Sequence, residues 1–470
     1  MDALNWAAGV SFGQVHFGNC DFHDARLVAR AVKTADLILR HPGGTLPEKL
    51  NHNADIIGLY RFANNSKVTH PALMAAHFAV TRAKMEQCPG VVLIISDTTE
   101  LDFTGLESVE NLGSIGNGGG RGILCHNSLA VRFDDRQVLG LANQILHTRR
   151  KVRKGEKAAA KRNHPGRESR LWVKGMEGIA PAPPSAQWVN VTDRGGDTFE
   201  FIDRCDESRK RYLVRSKHNR MLELEPAGDA PPKPVRLHDY AESLPATCRR
   251  NVSVQANGKQ TPRDTEVEIA FAKVTIRCPA QPRGEHRDQP LETYVVQVRE
   301  INPPRDAVPL LWTLLTNTPV NNDQDARRCV DWYQCRPIVE EYHKGQKTGC
   351  GIEQPQFTTR HALEVVTGVL SVVAVALLNL RDLSRRADAQ TLPATKVIDA
   401  VYVNVLSVWR LRKCKPEMTV YEFCRALAKL GGHFNRTHDH PPGWLVLWRG
   451  WTQLQLLVEG ALNAKAAGCV

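Results

Sequence analysis

The residues with the most chemical potential lie in one run, Tyr333-Gln-Cys-Arg336-Pro-Ile-Val-Glu340-Glu-Tyr-His343-Lys344-Gly-Gln-Lys347. Proline is tolerated in a first helical turn, so a helix is expected to start at Pro337 and continue through Gly345. Glu340, His343, Lys344 and Lys347 recur on it at intervals of three and four, hence on one face, with Tyr333 and Arg336 ahead at its positive N-terminal end. Glutamate and lysine at that spacing also pair on ordinary solvated helices, so the run alone leaves both readings open. Two aspartates upstream break the tie. The apolar strand Val91 to Ile95 ends at Ser96 and Asp97, and a second strand, Ala186 to Thr192, ends in Asp193 before the turn Arg194-Gly195-Gly196. Two strand-end carboxylates and a helical glutamate are hard oxygen ligands of the kind that divalent ions need. Without cations they would repel one another, so their convergence predicts two divalent cations, magnesium or manganese.

The elements that must bring them together can be followed along the chain. Asp24 can cap a helix running to about Arg40, which carries Arg26, Arg30, Lys33 and Arg40, and a second helix around Ala54 to Phe62 ends in Tyr60-Arg61-Phe62. Basic and aromatic residues on two short helices suit a DNA-binding module with Arg30 and Arg61 as contacts; a plain helical cap is an equal alternative. Further strands are expected at Leu101 to Phe103, Ile123 to Arg132 and Val138 to Leu146, with a glycine-rich stretch at Gly113 to Gly122. Short strands recur at Arg211 to Arg215, Glu266 to Arg277, Thr293 to Ile301 and Leu310 to Leu315, which reads as a β-rich insertion. The chain after Asp325 is helical, and Trp444, Trp448 and Trp451 fall on one helix face as a buried or partner-facing stripe.

The expected organisation is a helical N-terminal domain (1–75), a mixed α/β domain (76–382) with a β insertion at about 199–325, and a helical C-terminal domain (383–470) that carries the tryptophan stripe. The 470 residues carry 62 Lys+Arg against 50 Asp+Glu, a formal charge of +12, which favours a polyanionic partner such as nucleic acid or an acidic membrane. With 42% hydrophobic and 24% charged residues, a disordered or fibrous chain is excluded. The longest apolar run, Val365 to Leu378, is shorter than the roughly 20 residues that span a bilayer, so a buried core helix is expected and no membrane partner. The N-terminal MDALNWAAGVSFG lacks the basic start of a secretory signal, and a cytoplasmic location is expected. The 12 cysteines include no C-x-x-C pair and read as reduced and inert. His433, His438 and His440 read as solvated loop residues, lacking metal-ligand spacing. Ten Lys/Arg between His147 and Arg170 read as a DNA-contacting stretch.

The Tyr333-x2-Arg336-x3-Glu340-x6-Lys347 spacing resembles the signature of the insertion-sequence-four family of DDE transposases, bacterial cut-and-paste enzymes on a ribonuclease-H-like fold. Similarity to the hairpin-forming branch, of the kanamycin-resistance composite transposon type, extends to Asp97-Thr-Thr, Asp193-Arg194, Arg215-Ser-Lys217-His218, Ile301-Asn-Pro-Pro304, Trp312 with Leu314-Leu315-Thr316, and Gly431-Gly432 with the three tryptophans. Pro337 stands where the family often has an aromatic, and Gly195-Gly196-Asp197 where it often has Glu-Ala-Asp; neither change removes an acid. The resemblance implies that Asp97, Asp193 and Glu340 are the catalytic, metal-binding triad. It implies that Tyr333, Arg336, His343, Lys344 and Lys347, with Arg215 and Lys217, contact double-stranded DNA at the terminal inverted repeats. Trp312 would stack a flipped base, or else fill a strand core. A homodimer in the synaptic complex, nicking, hairpin formation and opening, and joining to target DNA are implied with it. A structure-selective ribonuclease-H-like nuclease and an inactive, domesticated DNA-binding protein are the alternatives.

Overall fold

A computed structural model describes residues 10–152, 155–223, 235–254, 262–280, 285–436, 439 and 441–468. Its described strands form one mixed sheet: β1 (Val91–Asp102), β2 (Gly113–Ile115), β3 (Gly120–Arg132), β4 (Val138–His147), β5 (Gln187–Thr192), β6 (Arg211–Arg215), β7 (Leu222–Glu223), β8 (Cys248–Val254), β9 (Arg263–Ile276), β10 (Leu291–Glu300) and β11 (Leu311–Thr316). The order is β2-β3-β1-β5-β6-β11-β10-β9-β7, with β4 on β3 and β8 on β9. Strands β4, β3 and β1 are antiparallel neighbours, whereas β5 joins β1 in parallel and β6 joins β5 in parallel. With helices flanking it, this arrangement is consistent with a ribonuclease-H-like fold. The strands expected between 199 and 321 continue the same sheet, since β11 pairs antiparallel with β6, and β10 and β9 follow.

Strand β1 runs past Asp97 to Asp102, so Leu101 belongs to it and not to a separate strand. The reason lies in its two neighbours. Antiparallel pairing with β3 continues from Val92↔Arg132 to Asp102↔Gly122, whereas the parallel ladder with β5 stops at Ser96↔Thr192. Asp97 and Asp193 are therefore each the first residue past the end of one shared ladder, which sets them side by side.

Helices α1 (Phe12–Phe17), α2 (Ala25–Arg40), α3 (Leu46–Leu50), α4 (Asn53–Ala63) and α5 (His70–Glu86) precede the sheet. Asp24 caps α2 as expected, accepting the Arg26 N–H at 3.0 Å. Between strands lie α6 (Ala158–Asn163), α7 (Leu171–Glu177), α8 (Phe199–Glu207) and α9 (Leu237–Ser243). After β11 come α10 (Asp323–Tyr333), α11 (Pro337–Lys344), α12 (Arg360–Ser384), α13 (Ala400–Leu411), α14 (Val420–Leu430) and α15 (Trp444–Ala466). Helix α12 touches α2, α4, α5, β4, α11, α14 and α15. Among the described residues it alone is long and apolar enough to cross a membrane, and it is buried inside the protein. Its 25 residues exceed the expected run because polar ends extend it, half-buried at Arg360 and Glu364 and buried at Arg381 and Asp382.

A buried imidazole pair fastens α1 to α5 and to the sheet. The Leu141 N–H donates to His77 Nε2 at 3.1 Å, which assigns the His77 proton to Nδ1, and Nδ1 donates to His16 Nδ1 at 3.0 Å. Burial, with Lys84 nearby, pushes His16 down to about 3; burial and then His16 hold His77 well below its ordinary value. Both rings are neutral.

The tryptophan stripe is buried in the chain's own helical core, Trp451 stacking on Tyr402 at 5.1 Å, so it offers no free face to a partner. The described cysteines are all free thiols, as expected. His433 shares a hydrogen bond with Asn435 at 2.9 Å. His438 and His440 lie outside the described residues.

Candidate active site and DNA-binding segment

Each of the three acids is placed by a different local rule. Asp97 Oδ1 accepts the Thr98 N–H at 2.8 Å, leaving Oδ2 free to face α11. Asp193 Oδ1 accepts the Gly195 N–H at 2.8 Å in the turn after β5. A Cβ on Gly195 would fall 2.7 Å from the Trp172 ring and 3.0 Å from Asp193 Oδ1, so only glycine lets this turn close. Glu340 sits in the first turn of α11, a helix that packs against β1.

All three meet one guanidinium. Arg336 Nη2 lies 2.7 Å from Asp97 Oδ2 and 3.4 Å from Asp193 Oδ2, and Nη1 pairs with Glu340 Oε1. Burial raises the Asp97 carboxyl to about 6; Arg336 pulls it down and Asp193 pushes it further up. Among the described residues no three His, Cys, Asp or Glu side chains are already gathered to hold a metal ion, because the acids are spread around Arg336. Their chemistry fits hard divalent ions nonetheless: every donor is a carboxylate oxygen, and the set already holds one positive charge.

Aromatic and basic groups surround this cluster. The Tyr333 ring is buried and meets the half-buried Trp312 edge-on at 4.9 Å, while Arg215, sharing a hydrogen bond with Tyr333, also donates to the Leu311 carbonyl at 3.0 Å. Burial raises the Tyr333 phenol, so it stays protonated, and burial lowers Arg215. Lys217 and Lys344 are exposed. Beyond Lys344 the chain widens into a π turn, Gly345–Gly349, in which the Cys350 N–H bonds the Gly345 carbonyl at 2.8 Å. This breaks the three-and-four spacing, and Lys347 lies 3.0 Å from Glu353. His343 does not share the solvent face: Asn127 Nδ2 donates to its Nε2 at 3.1 Å, so its proton is on Nδ1, 4.0 Å from Asp97 Oδ2. Burial, then Arg336, lowers it to about 3, which makes it a neutral buried ring instead of a phosphate-facing cation.

Arg30 is tied to Asp55 at 2.8 Å, beside Lys33, and so staples α2 to α4, whereas Arg61 is exposed on α4. In the basic stretch, Arg149 pairs with Glu100 and Glu168, Arg150 with Glu156, and both Arg167 and Arg170 with Glu200. These arginines are used internally; Lys157 and Lys161 are exposed, and Arg153 and Lys154 lie outside the described residues.

Several participants escape a reading by motif. Asn127, the cross-strand partner of Asp97, accepts from Gln144 Nε2 at 2.7 Å, and Gln144 Oε1 meets His70 Nε2 at 2.9 Å. Gln144 and Gln346 both donate to Ser371 Oγ at 2.9 Å, completing a buried polar layer beneath the acids. Asp197 accepts the Lys217 and His218 N–H groups at 2.5 and 2.8 Å and pairs with Arg220, fixing the loop that carries Lys217. The sequence signal for these is a polar residue inside an apolar strand, as at Asn127 within β3.

Residues 11–68 match the transposase DNA-binding family model. The match covers α1 to α4, the helices that carry Arg30 and Arg61. It supports a DNA-binding transposase, a DNA-processing protein with DNA as partner.

Proposed function

We propose that this chain is a DDE cut-and-paste transposase of the insertion-sequence-four, hairpin-forming kind, with Asp97, Asp193 and Glu340 as catalytic, metal-binding residues. The observation that carries the reading is the common pairing of three acids, distant in sequence, with the single guanidinium of Arg336 at the end of the β1–β5 ladder. Two divalent cations, magnesium or manganese, bound by these acids would supply Lewis acidity to the attacking water or 3′-hydroxyl and to the leaving oxygen.

The chain's own residues do the rest. Lys217, Lys344 and Arg215, with Lys347, bind and orient the phosphates of the inverted repeats and of target DNA. Trp312, already edge-on to Tyr333, offers a partly exposed ring on which a flipped base stacks, as hairpin formation requires. The buried layer from Asn127 to Ser371 keeps the floor beneath Asp97 rigid. Cutting both ends in one complex calls for two copies, and exposed Val408 and Leu411 on α13 with Leu456 and Leu462 on α15 support a homodimer through those faces instead of through the tryptophans.

Asp97→Asn, Asp193→Asn and Glu340→Gln are the tests. Each is expected to abolish magnesium-dependent excision from a donor plasmid while leaving DNA binding within a few-fold of the parent. Excision surviving in any of the three refutes the assignment.

A further inference from the structure

Arg336 occupies an unusual electrostatic position. One positive charge faces three carboxylates, so the pairings leave a local excess of negative charge. Its side chain is 13% exposed, and its Nε–H is buried without a hydrogen-bond partner. Leaving such a donor buried and unpaired is unfavourable, which disfavours this as a final resting place. A guanidinium cannot lose its proton in a protein, so this charge leaves the acids only if the side chain moves. The best competing acceptor for its planar fork is a phosphate, taken bidentately. Arg215 stands on the neighbouring side, bonded to Tyr333 and to a backbone carbonyl, ready to meet the same backbone.

We infer that Arg336 is an internal counter-ion: it holds the three acids in the free protein and is handed to the DNA backbone on binding, so that DNA binding and metal loading are coupled. The inference rests on the reading of the acids as metal ligands. Once the guanidinium turns to phosphate, three carboxylates remain uncompensated and attract divalent cations. By linkage the coupling is reciprocal, each ligand tightening the other by the same factor. An arginine serving only to pin α11 to the sheet would leave metal affinity unchanged.

The test uses the full chain and Mn2+ alone, with free Mn2+ followed by electron paramagnetic resonance. R336Q is expected to bind Mn2+ about tenfold more tightly than the parent protein, since the displaced positive charge is gone. R336K, which keeps the charge and loses the fork, is expected in between, and it carries the comparison if R336Q does not fold. In the reciprocal arm, saturating Mn2+ should tighten binding of a trace fluorescent DNA duplex by a larger factor in the parent than in R336Q. Equal Mn2+ affinity of the parent and both variants overturns the counter-ion role and leaves the metal reading standing. Mn2+ binding that survives D97N in the R336Q background overturns the metal reading itself, and the inference with it.

Discussion

Mild acid should loosen the N-terminal helices, and the buried His16–His77 pair sets the size of the effect. Both rings are held neutral in the folded chain, His16 down to about 3 and His77 well below the ordinary histidine value of 6.5. Above pH 6.5 neither folded nor unfolded rings carry a proton, so their contribution to stability is fully present there. As pH falls below 6.5 the unfolded chain takes up protons that the folded pair refuses. Stability then drops by about 1.4 kcal/mol per pH unit for each ring, and the drop continues towards pH 3. Between about pH 7 and pH 5 this amounts to roughly 2 kcal/mol per ring and about 4 for the pair. Other buried histidines act in the same direction, so the measurement is a difference: urea unfolding of the parent and of the His16→Gln/His77→Gln variant at both pH values, with hydrogen exchange reporting on α1. The parent should lose about 4 kcal/mol more than the variant on acidification. Equal losses would refute the argument that these rings are neutral and buried.

Further outcomes follow from single contacts. Gly195→Ala should press a methyl into the Trp172 ring and the Asp193 carboxylate, costing about 1–3 kcal/mol in thermal unfolding and depressing cleavage more than DNA binding. Trp451→Ala should cost about 3–5 kcal/mol by denaturant titration, because it empties a buried stack against Tyr402. Lys344→Ala should flatten the slope of log binding constant against log salt by about 0.9 per lost phosphate contact, and an unchanged slope removes Lys344 from the DNA surface. Lys347→Ala should flatten it less, because Glu353 already holds that ammonium.

Asp97 and Asp193 were legible because buried parallel strands read as unbroken apolar runs, and a carboxylate at the end of such a run stands out. Glu340 was legible from spacing on a helix. Arg336 was expected to face DNA; its grip on all three acids depends on register between β1 and β5 and on how α11 lies across them, which no local pattern encodes. His343 illustrates the converse: its spacing puts it with the lysines, but the Asn127 amide and the Asp97 carboxylate on the sheet hold its ring inward. The tryptophans announced an apolar helix face, and α12 and α13, not a second chain, cover it. In the basic stretch, charge counting cannot see that Glu100 and Glu200 come from elsewhere in the chain to meet Arg149, Arg167 and Arg170.

The central position of α12 bears on how the chain acquires its structure. During synthesis α2, α4 and α5 leave the ribosome long before residues 360–384, yet their apolar faces close against that late segment. Contacts of such sequence separation are slow to form and leave greasy surface uncovered meanwhile. A chain released before Ser384 should therefore aggregate or recruit chaperones, and a recognition module cut from the N-terminus should need replacement of its lost cover by solubilising substitutions.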